Sequence, residues 1–458
     1  MKKLIVLCDG TWCGSETNTK TNVFLLAEMM GINMSLYNPA RAEPIPYHDA
    51  GRGMDTCYFP GAGLGGTFLE YIFNGATAYD IDQDCIKVYK YIAEHYTPQH
   101  EIWMFGLSRG AYTVRSVAGM INNCGILKRT DGNGVPLLPD VLDRLYQQIY
   151  RIYRSRDPAD HPESERIRAF KEKASYNVPT PVKFMGLFDT VGSLGIPYLN
   201  PGIGPAFEEF HDNKISCAIE KVYHALSIHD RLWCFAPCRA LPAKQRVGPQ
   251  FEIYERWFPG CHYDLGRQRF RFLRNGENLL ERVLGKILAP LSKVIEPNKV
   301  FSDLVLKWML EKIWQNDSQP WVIQNININI QDLRASMMAA TPTDTGSGDI
   351  YDNALAFGPA GRIWEVLTRI FSPLFPGFNM VISELTQTTD RIIPDSDAVL
   401  TLYYNQSPEL GNRRIADIGK IDSISPTEPS RYPSRTYQDF RTVLTLLDRN
   451  VSAASSPS

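Results

Sequence analysis

Residues Glu101 to Ile121, EIWMFGLSRGAYTVRSVAGMI, constrain the fold more than any other stretch of this chain. Ile102 to Phe105 is a short continuous apolar run of the kind that makes a buried parallel strand. Ala111, Val114, Val117, Ala118 and Ile121 then recur at helical spacing. A strand must therefore turn sharply into a helix at Ser108. Gly106 and Gly110, two residues to either side, leave room for that turn. It is expected to hold the serine in a strained backbone conformation, with its hydroxyl exposed and a helix N-terminus behind it.

Strand and helix patterns alternate through the first 125 residues, which predicts an α/β fold with a mainly parallel central sheet flanked by helices. Leu4–Cys8, Met54–Phe59, Val182–Phe188 and Phe251–Phe258 read as strands. Asn22 is the expected cap of a helix that turns Val23, Leu26, Ala27 and Met30 to the core. Tyr79–Tyr96 reads as another helix, and His224–Asp230 as the end of a helix-like run. The polar, charge-rich stretch 128–178 is expected as a surface insertion in a catalytic core covering 1–275. Beyond it, Leu279–Ile295, Val300–Trp314 and Ile363–Leu374 carry amphipathic helical patterns. The apolar Phe375–Ile382 follows them, and Thr341–Asp352 is a linker-like stretch. Together they predict a largely helical cap over 276–445, with a lipid-contacting lid as the alternative use of its helices, and a disordered tail over 446–458.

Composition removes several function classes. The formal net charge is −2 over 458 residues, so no basic footprint marks nucleic acid as a partner. Nine scattered cysteines, an odd number, fit a reduced compartment and a cytoplasmic location better than a disulfide framework. The opening MKKLIVLCDG places two lysines before an apolar run, but that run reaches Asp9 after five residues, too short for a signal sequence. It reads as a first strand. No stretch is long and apolar enough to be a transmembrane segment, which leaves transient contact as the expected relation to a membrane.

A serine at such a turn needs an oxyanion hole, a base and an acid. The backbone N–H of Arg109 supplies one oxyanion donor, and the turn Gly10, Thr11 and Trp12 is the best placed source of a second. Asp9-Gly10-Thr11 also resembles a phosphatase signature of the haloacid dehalogenase type, but the nucleophile position there is occupied by Leu7. Gly61, Gly63 and Gly66 satisfy G-x-G-x-x-G, yet Asp80, Asp82 and Asp84 fall in a helical pattern rather than at the end of a second strand. Gly61 and Gly63 are therefore assigned to the substrate cleft, and the chemistry requires no cofactor. Of eight histidines, His262 follows the strand end Trp257-Phe258 and a Pro-Gly turn, where a tight loop presents it as the base. His224 sits in a structural context, and its spacing of five from His229 does not suit a metal site on a helix. Asp189 ends the apolar strand Phe184–Phe188 and is the preferred acid; Asp230 and Asp264 compete with it.

These segments occur in one order: Asp9-Gly10-Thr11-Trp12, Thr21-Asn22, Gly106 to Ala111, Phe188 to Gly192, His224-Ala225-Leu226 with Asp230-Arg231, and Trp257 to Asp264. Over roughly residues 1–270 the chain resembles the α/β hydrolase family typified by the type VI secretion phospholipase effectors, the Tle1-like catalytic domain. The resemblance implies an α/β-hydrolase fold and a serine hydrolase with Ser108, Asp189 and His262 as its triad. Its expected substrates are carboxylic esters, small or lipid, phospholipids being those of the effectors. An acyltransferase working through the same acyl-enzyme, or a catalytically silent binding module, are the alternatives. The chain departs from the family after Gly266, where Arg267 and Gln268 stand in place of further glycines, which bears on the substrate more than on the chemistry.

Overall fold

The computed structural model describes residues 1–10, 20–38, 43–61, 78–176, 178–191, 214–227, 230, 237–243, 248–258, 260–269 and 296–340. Within them the strands are Lys2–Cys8 (β1), Ile45–Asp49 (β2), Met54–Phe59 (β3), His100–Leu107 (β4), Ile126–Leu127 (β5), Ser175–Tyr176 (β6), Val182–Phe188 (β7), Lys214–Ile215 (β8), Ile219–Ser227 (β9), Leu241–Pro242 (β10) and Glu252–Phe258 (β11). The helices are Asn22–Met30 (α1), Ala78–His95 (α2), Arg109–Cys124 (α3), Pro139–Arg154 (α4), Glu165–Ala174 (α5), His262–Leu265 (α6), Lys299–Asn316 (α7) and Ile326–Ala339 (α8).

Seven strands form one sheet in the order β11-β9-β7-β4-β1-β3-β2. Every pairing in it is parallel except that of β2 with β3. The chain has the α/β-hydrolase fold. Parallel strands need crossovers, and the helices that make them cover both faces. Alternate residues therefore serve two cores. Ile5, Leu7, Trp103, Phe105 and Phe184 face the side covered by α1, α7 and α8. Leu4, Val6, Ile102, Met104 and Met185 face α2, α3 and α4. This double burial explains why β4 reads as an unbroken apolar run.

Trp308 on α7 anchors the first face, its ring 5.3 Å from that of Phe258 and 6.4 Å from that of Tyr223. The helix expected at Val300–Trp314 is α7, Lys299–Asn316, and it packs directly on this face of the sheet. On the second face α4 contributes Leu142, Tyr146, Ile149 and Tyr153 to the core from within the segment 128–178.

Three local expectations change. The cap of α1 is Thr21, whose hydroxyl accepts the Phe24 N–H at 2.9 Å, and Asn22 is the first helical residue. His224 lies on β9, not on a helix: the apolar spacing of Ile219, Val222, Tyr223, Ala225 and Leu226 mimics a helix because this strand too is buried on both faces. His262 opens the one-turn helix α6 where a tight loop was expected. The patterns at Leu279–Ile295, Thr341–Asp352, Ile363–Leu374 and Phe375–Ile382 lie outside the described residues.

Candidate active site

The carboxyl ends of β1, β4, β7, β9 and β11 lie side by side, and each delivers one part of the site. At the end of β4, Ser108 has φ 57° and ψ −120°, a conformation that costs an L-residue strain and that the sharp strand-to-helix turn requires. Four non-glycine residues among those described have positive φ, and three of them, Ser108, Asp189 and Arg267, belong to this region. The elbow is held from both sides. Ser108 N–H donates to Phe188 O at 2.9 Å, and the Ser108 carbonyl accepts Tyr112 N–H at 3.2 Å. The two flanking glycines are steric necessities. A Cβ on Gly110 would collide with the carbonyl oxygens of Cys8 and Asp9, and one on Gly106 with the backbone of Ala111. Arg109 is the first residue of α3, so its N–H has no acceptor within the helix.

Asp189 immediately follows β7, next to Ser108 in register, since Leu107 pairs with Phe188. It is fully buried and its own N–H donates to Ala225 O at 2.7 Å. Among the described residues its carboxylate collects three donors. Oδ1 accepts Ser227 N–H at 2.9 Å, while Oδ2 accepts the Ser227 hydroxyl at 3.2 Å and lies 2.7 Å from His262 Nδ1. A carboxylate only accepts, so Nδ1 carries the proton and Nε2 is left as the basic nitrogen. At the end of β9, the strand neighbouring β7, Ser227 and, three residues further on, Asp230 form a supporting layer: Asp230 Oδ2 accepts the backbone N–H of His262 at 2.8 Å.

The other candidate acid, Asp264, spends its carboxylate on backbone. Oδ2 accepts Cys261 N–H at 2.7 Å in a capping box, and Oδ1 accepts Asn298 N–H at 2.8 Å. Ahead of it Gly260 holds φ 108°, in the left-handed region that favours glycine. His224 is buried, accepting the Thr190 N–H at Nε2 (3.1 Å) with Nδ1 3.1 Å from Glu255. Burial lowers its pKa against the pull of Glu255, so it stands neutral beneath the Asp189 turn.

On the other side of Ser108, β1 is followed by Asp9, whose carboxylate takes Gly10 N–H at 2.8 Å, the Thr21 hydroxyl at 2.5 Å and the Tyr58 hydroxyl at 2.6 Å. Gly10 N–H is thus engaged by Asp9 itself. Thr11 and Trp12 lie outside the described residues, as does Gly63. The point a Gly10 Cβ would occupy is 3.2 Å from Ser108 Cβ and 3.1 Å from Gln268 Nε2, so the turn after His262 closes on the elbow across Gly10. Gly61 is buried and follows Pro60, which with Asp9, Phe59, Lys87, Arg109 and Thr113 lines a small cleft; among the described residues Gly61, Ser108 and His262 do not line it. The Cys8 thiol at this cleft has its pKa driven well up, chiefly by burial, which keeps it protonated and a poor nucleophile.

Ser227, Asp230 and Asp9 are the members of this site that pattern reading underrates. A serine or aspartate just past an apolar strand carries little signal until register shows which strand ends are neighbours. Among the described residues no group of three or more His, Cys, Asp or Glu is placed to hold a metal, no helix is long and apolar enough to cross a membrane, and none of the seven cysteines is in a disulfide.

Comparison with known proteins places residues 2–312 in the family described as "T6SS, Phospholipase effector Tle1-like, catalytic domain". An uncharacterized protein of Saccharomyces cerevisiae is 27% identical over 254 residues, covering 52% of this chain and 34% of its own length. The chain thus spans about a third of the length of that curated relative. An uncharacterized protein from Pseudomonas aeruginosa, known by crystal structure, aligns with 99% of this chain and 66% of its own at 14% identity, with a TM-score of 0.30, too low to bear on the fold.

Proposed function

Because the chain belongs to the Tle1-like catalytic domain family, we propose that it is a serine hydrolase of carboxylic esters, lipase- or phospholipase-like, acting through Ser108, His262 and Asp189. The observation that carries this reading is the 2.7 Å bond from His262 Nδ1 to Asp189, whose strand lies in register beside the one ending in the positive-φ Ser108.

The chemistry follows from the proton inventory. His262 Nε2 takes the Ser108 hydroxyl proton as Oγ bonds to the ester carbonyl carbon, and the carbonyl π electrons move to oxygen. That oxyanion is met by the N–H of Arg109 and by a donor from the turn that begins at Gly10; since Asp9 engages the Gly10 N–H, Thr11 and Trp12 are the donors to test. Collapse breaks the bond to the alcohol oxygen, which leaves with the proton from Nε2. Water, deprotonated by the same nitrogen, then attacks the acyl-enzyme and frees the acid and Ser108. Asp189 holds the Nδ1 tautomer and stabilises the imidazolium in both half-reactions.

In the same reading, residues 1–275 hold the chemistry, residues 276–445 form a helical cap, and the enzyme meets its lipid by transient membrane contact from the cytoplasm. The test is release of acid from p-nitrophenyl esters of increasing chain length and from phosphatidylcholine vesicles, comparing the protein with Ser108→Ala. Hydrolysis lost in the variant is expected. Equal turnover by both would overturn the proposal, and acyl transfer to an added alcohol in place of free acid would replace it with the acyltransferase reading.

A further inference from the structure

We propose that Thr21 and Asn22 form a positioning clamp that fixes the turn after β1 and the turn carrying His262 against each other. This inference rests on the roles given to Ser108 and His262 above. Both residues are completely buried, although each is polar, so their polar atoms must be satisfied within the protein. The way they are satisfied is divided between the two turns.

Thr21 faces the Ser108 side. Its hydroxyl donates to Asp9 Oδ2 at 2.5 Å and accepts Phe24 N–H at 2.9 Å, which joins the start of α1 to the carboxylate holding Gly10. Asn22, the next residue, faces the His262 side. Its backbone N–H donates to Gly266 O at 3.1 Å, and its Nδ2 donates to Leu265 O at 2.7 Å and to Ser302 O at 3.1 Å. Its Oδ1 accepts Arg267 Nε at 3.2 Å. Two consecutive residues thus bind both turns, which are otherwise some 250 positions apart in the sequence.

Arg267 explains why this chain tolerates a bulky residue where the resemblance leads one to expect glycine. It sits at φ 57°, a conformation glycine adopts without strain, and its guanidinium binds both Asn22 and Asp303. Those contacts offset the strain and hold the segment that presents Gln268 to Gly10. Helix α1 thereby acts as a rigid spacer between the oxyanion side and the base side of the site.

The clamp is a positioning device, so its loss should be read in turnover rather than in binding. Full-length Thr21→Val, Thr21→Ser and Asn22→Asp are compared with the parent protein for kcat and KM on a soluble p-nitrophenyl ester, each normalised to the folded fraction from its melting curve. The Nδ1 proton of His262 is followed by NMR in the same samples. We expect kcat about ten- to a hundredfold lower in Thr21→Val and Asn22→Asp, with KM within about twofold. Thr21→Ser should stay near the parent value because it keeps the hydroxyl. The His262 Nδ1 proton signal should shift or broaden in Asn22→Asp. Lower melting temperatures with unchanged kcat per folded molecule, or an unchanged His262 signal in folded Asn22→Asp, would overturn the clamp. An inactive parent protein would instead refute the hydrolase reading, and the NMR arm would still decide the clamp.

Discussion

Replacing Asp189 with asparagine tests the proposed triad in a way the surrounding contacts make unusually definite. The new amide can face either way, but Ser227 N–H lies 2.9 Å from Oδ1 and can only donate. The amide oxygen must therefore take the Oδ1 position, which puts the NH2 group where Oδ2 now lies 2.7 Å from His262 Nδ1. Nδ1 must then accept, so the remaining imidazole proton moves to Nε2, the atom needed as base. The side chain keeps its volume and the hydrogen bonds keep their number, so the fold should persist. Activity should fall by about ten-thousand-fold in kcat, equivalent to about 5 kcal/mol of transition-state stabilisation. The assay is steady-state hydrolysis of a soluble ester, with circular dichroism and a melting curve to show that the variant is folded. A folded variant within tenfold of the parent would refute the orienting role of Asp189.

Three further expectations concern the scaffold. Gly110→Ala places a methyl group into the carbonyl oxygens of Cys8 and Asp9, so it should lower stability by at least about 1–3 kcal/mol by denaturant melts, or prevent soluble expression; a normally stable variant would contradict the close packing of α3 on β1. Trp308→Ala empties the site between Tyr223, Tyr254 and Phe258 and should cost about 3–5 kcal/mol in the same assay, whereas a loss below about 1 kcal/mol would mean that α7 does not cover the sheet. The third expectation is a pH dependence of stability. Burial lowers the His224 pKa below its ordinary 6.5, so the unfolded chain takes up the proton first, and this stabilisation is present above pH 6.5 and lost as pH falls below it. Glu255 adds a second decline between 4.5 and its own value of about 2, since the contacts with His224, Ala240 N–H and Arg239 outweigh its burial. Melting temperature measured from pH 7.5 to 5 should drop in the parent protein and drop less in His224→Gln, and parallel curves would rule His224 out as the cause.

The fold class was legible because crossover connections force alternating strand and helix patterns, and because Gly106, Ser108 and Gly110 admit few other local structures. His262 was legible by position, at the end of an aromatic strand after Pro-Gly, although the one-turn helix set by the Cys261 and Asp264 capping box was not. The edge strand Ile45–Asp49 is hidden in the sequence by Pro46, its second residue, which has no N–H to give a ladder and is tolerated here because the strand lies at the sheet's edge. β9 imitated a helix because burial on both faces erases the alternation that marks a strand. Ser227, Asp230, Asp9 and Asn22 owe their importance to register and to contacts over as many as 280 positions, which no local pattern contains.

The proposed chemistry stands or falls with Ser108 as an activated nucleophile. The most direct measurement is treatment of the native protein with a fluorophosphonate, followed by mass spectrometry of the peptide spanning the elbow. An activated Ser108 gives one adduct, on Ser108 itself, absent from heat-denatured protein and from Ser108→Ala and much slower to form in Asp189→Asn. No adduct on the native protein, or equal labelling of Ser108→Ala, would contradict it.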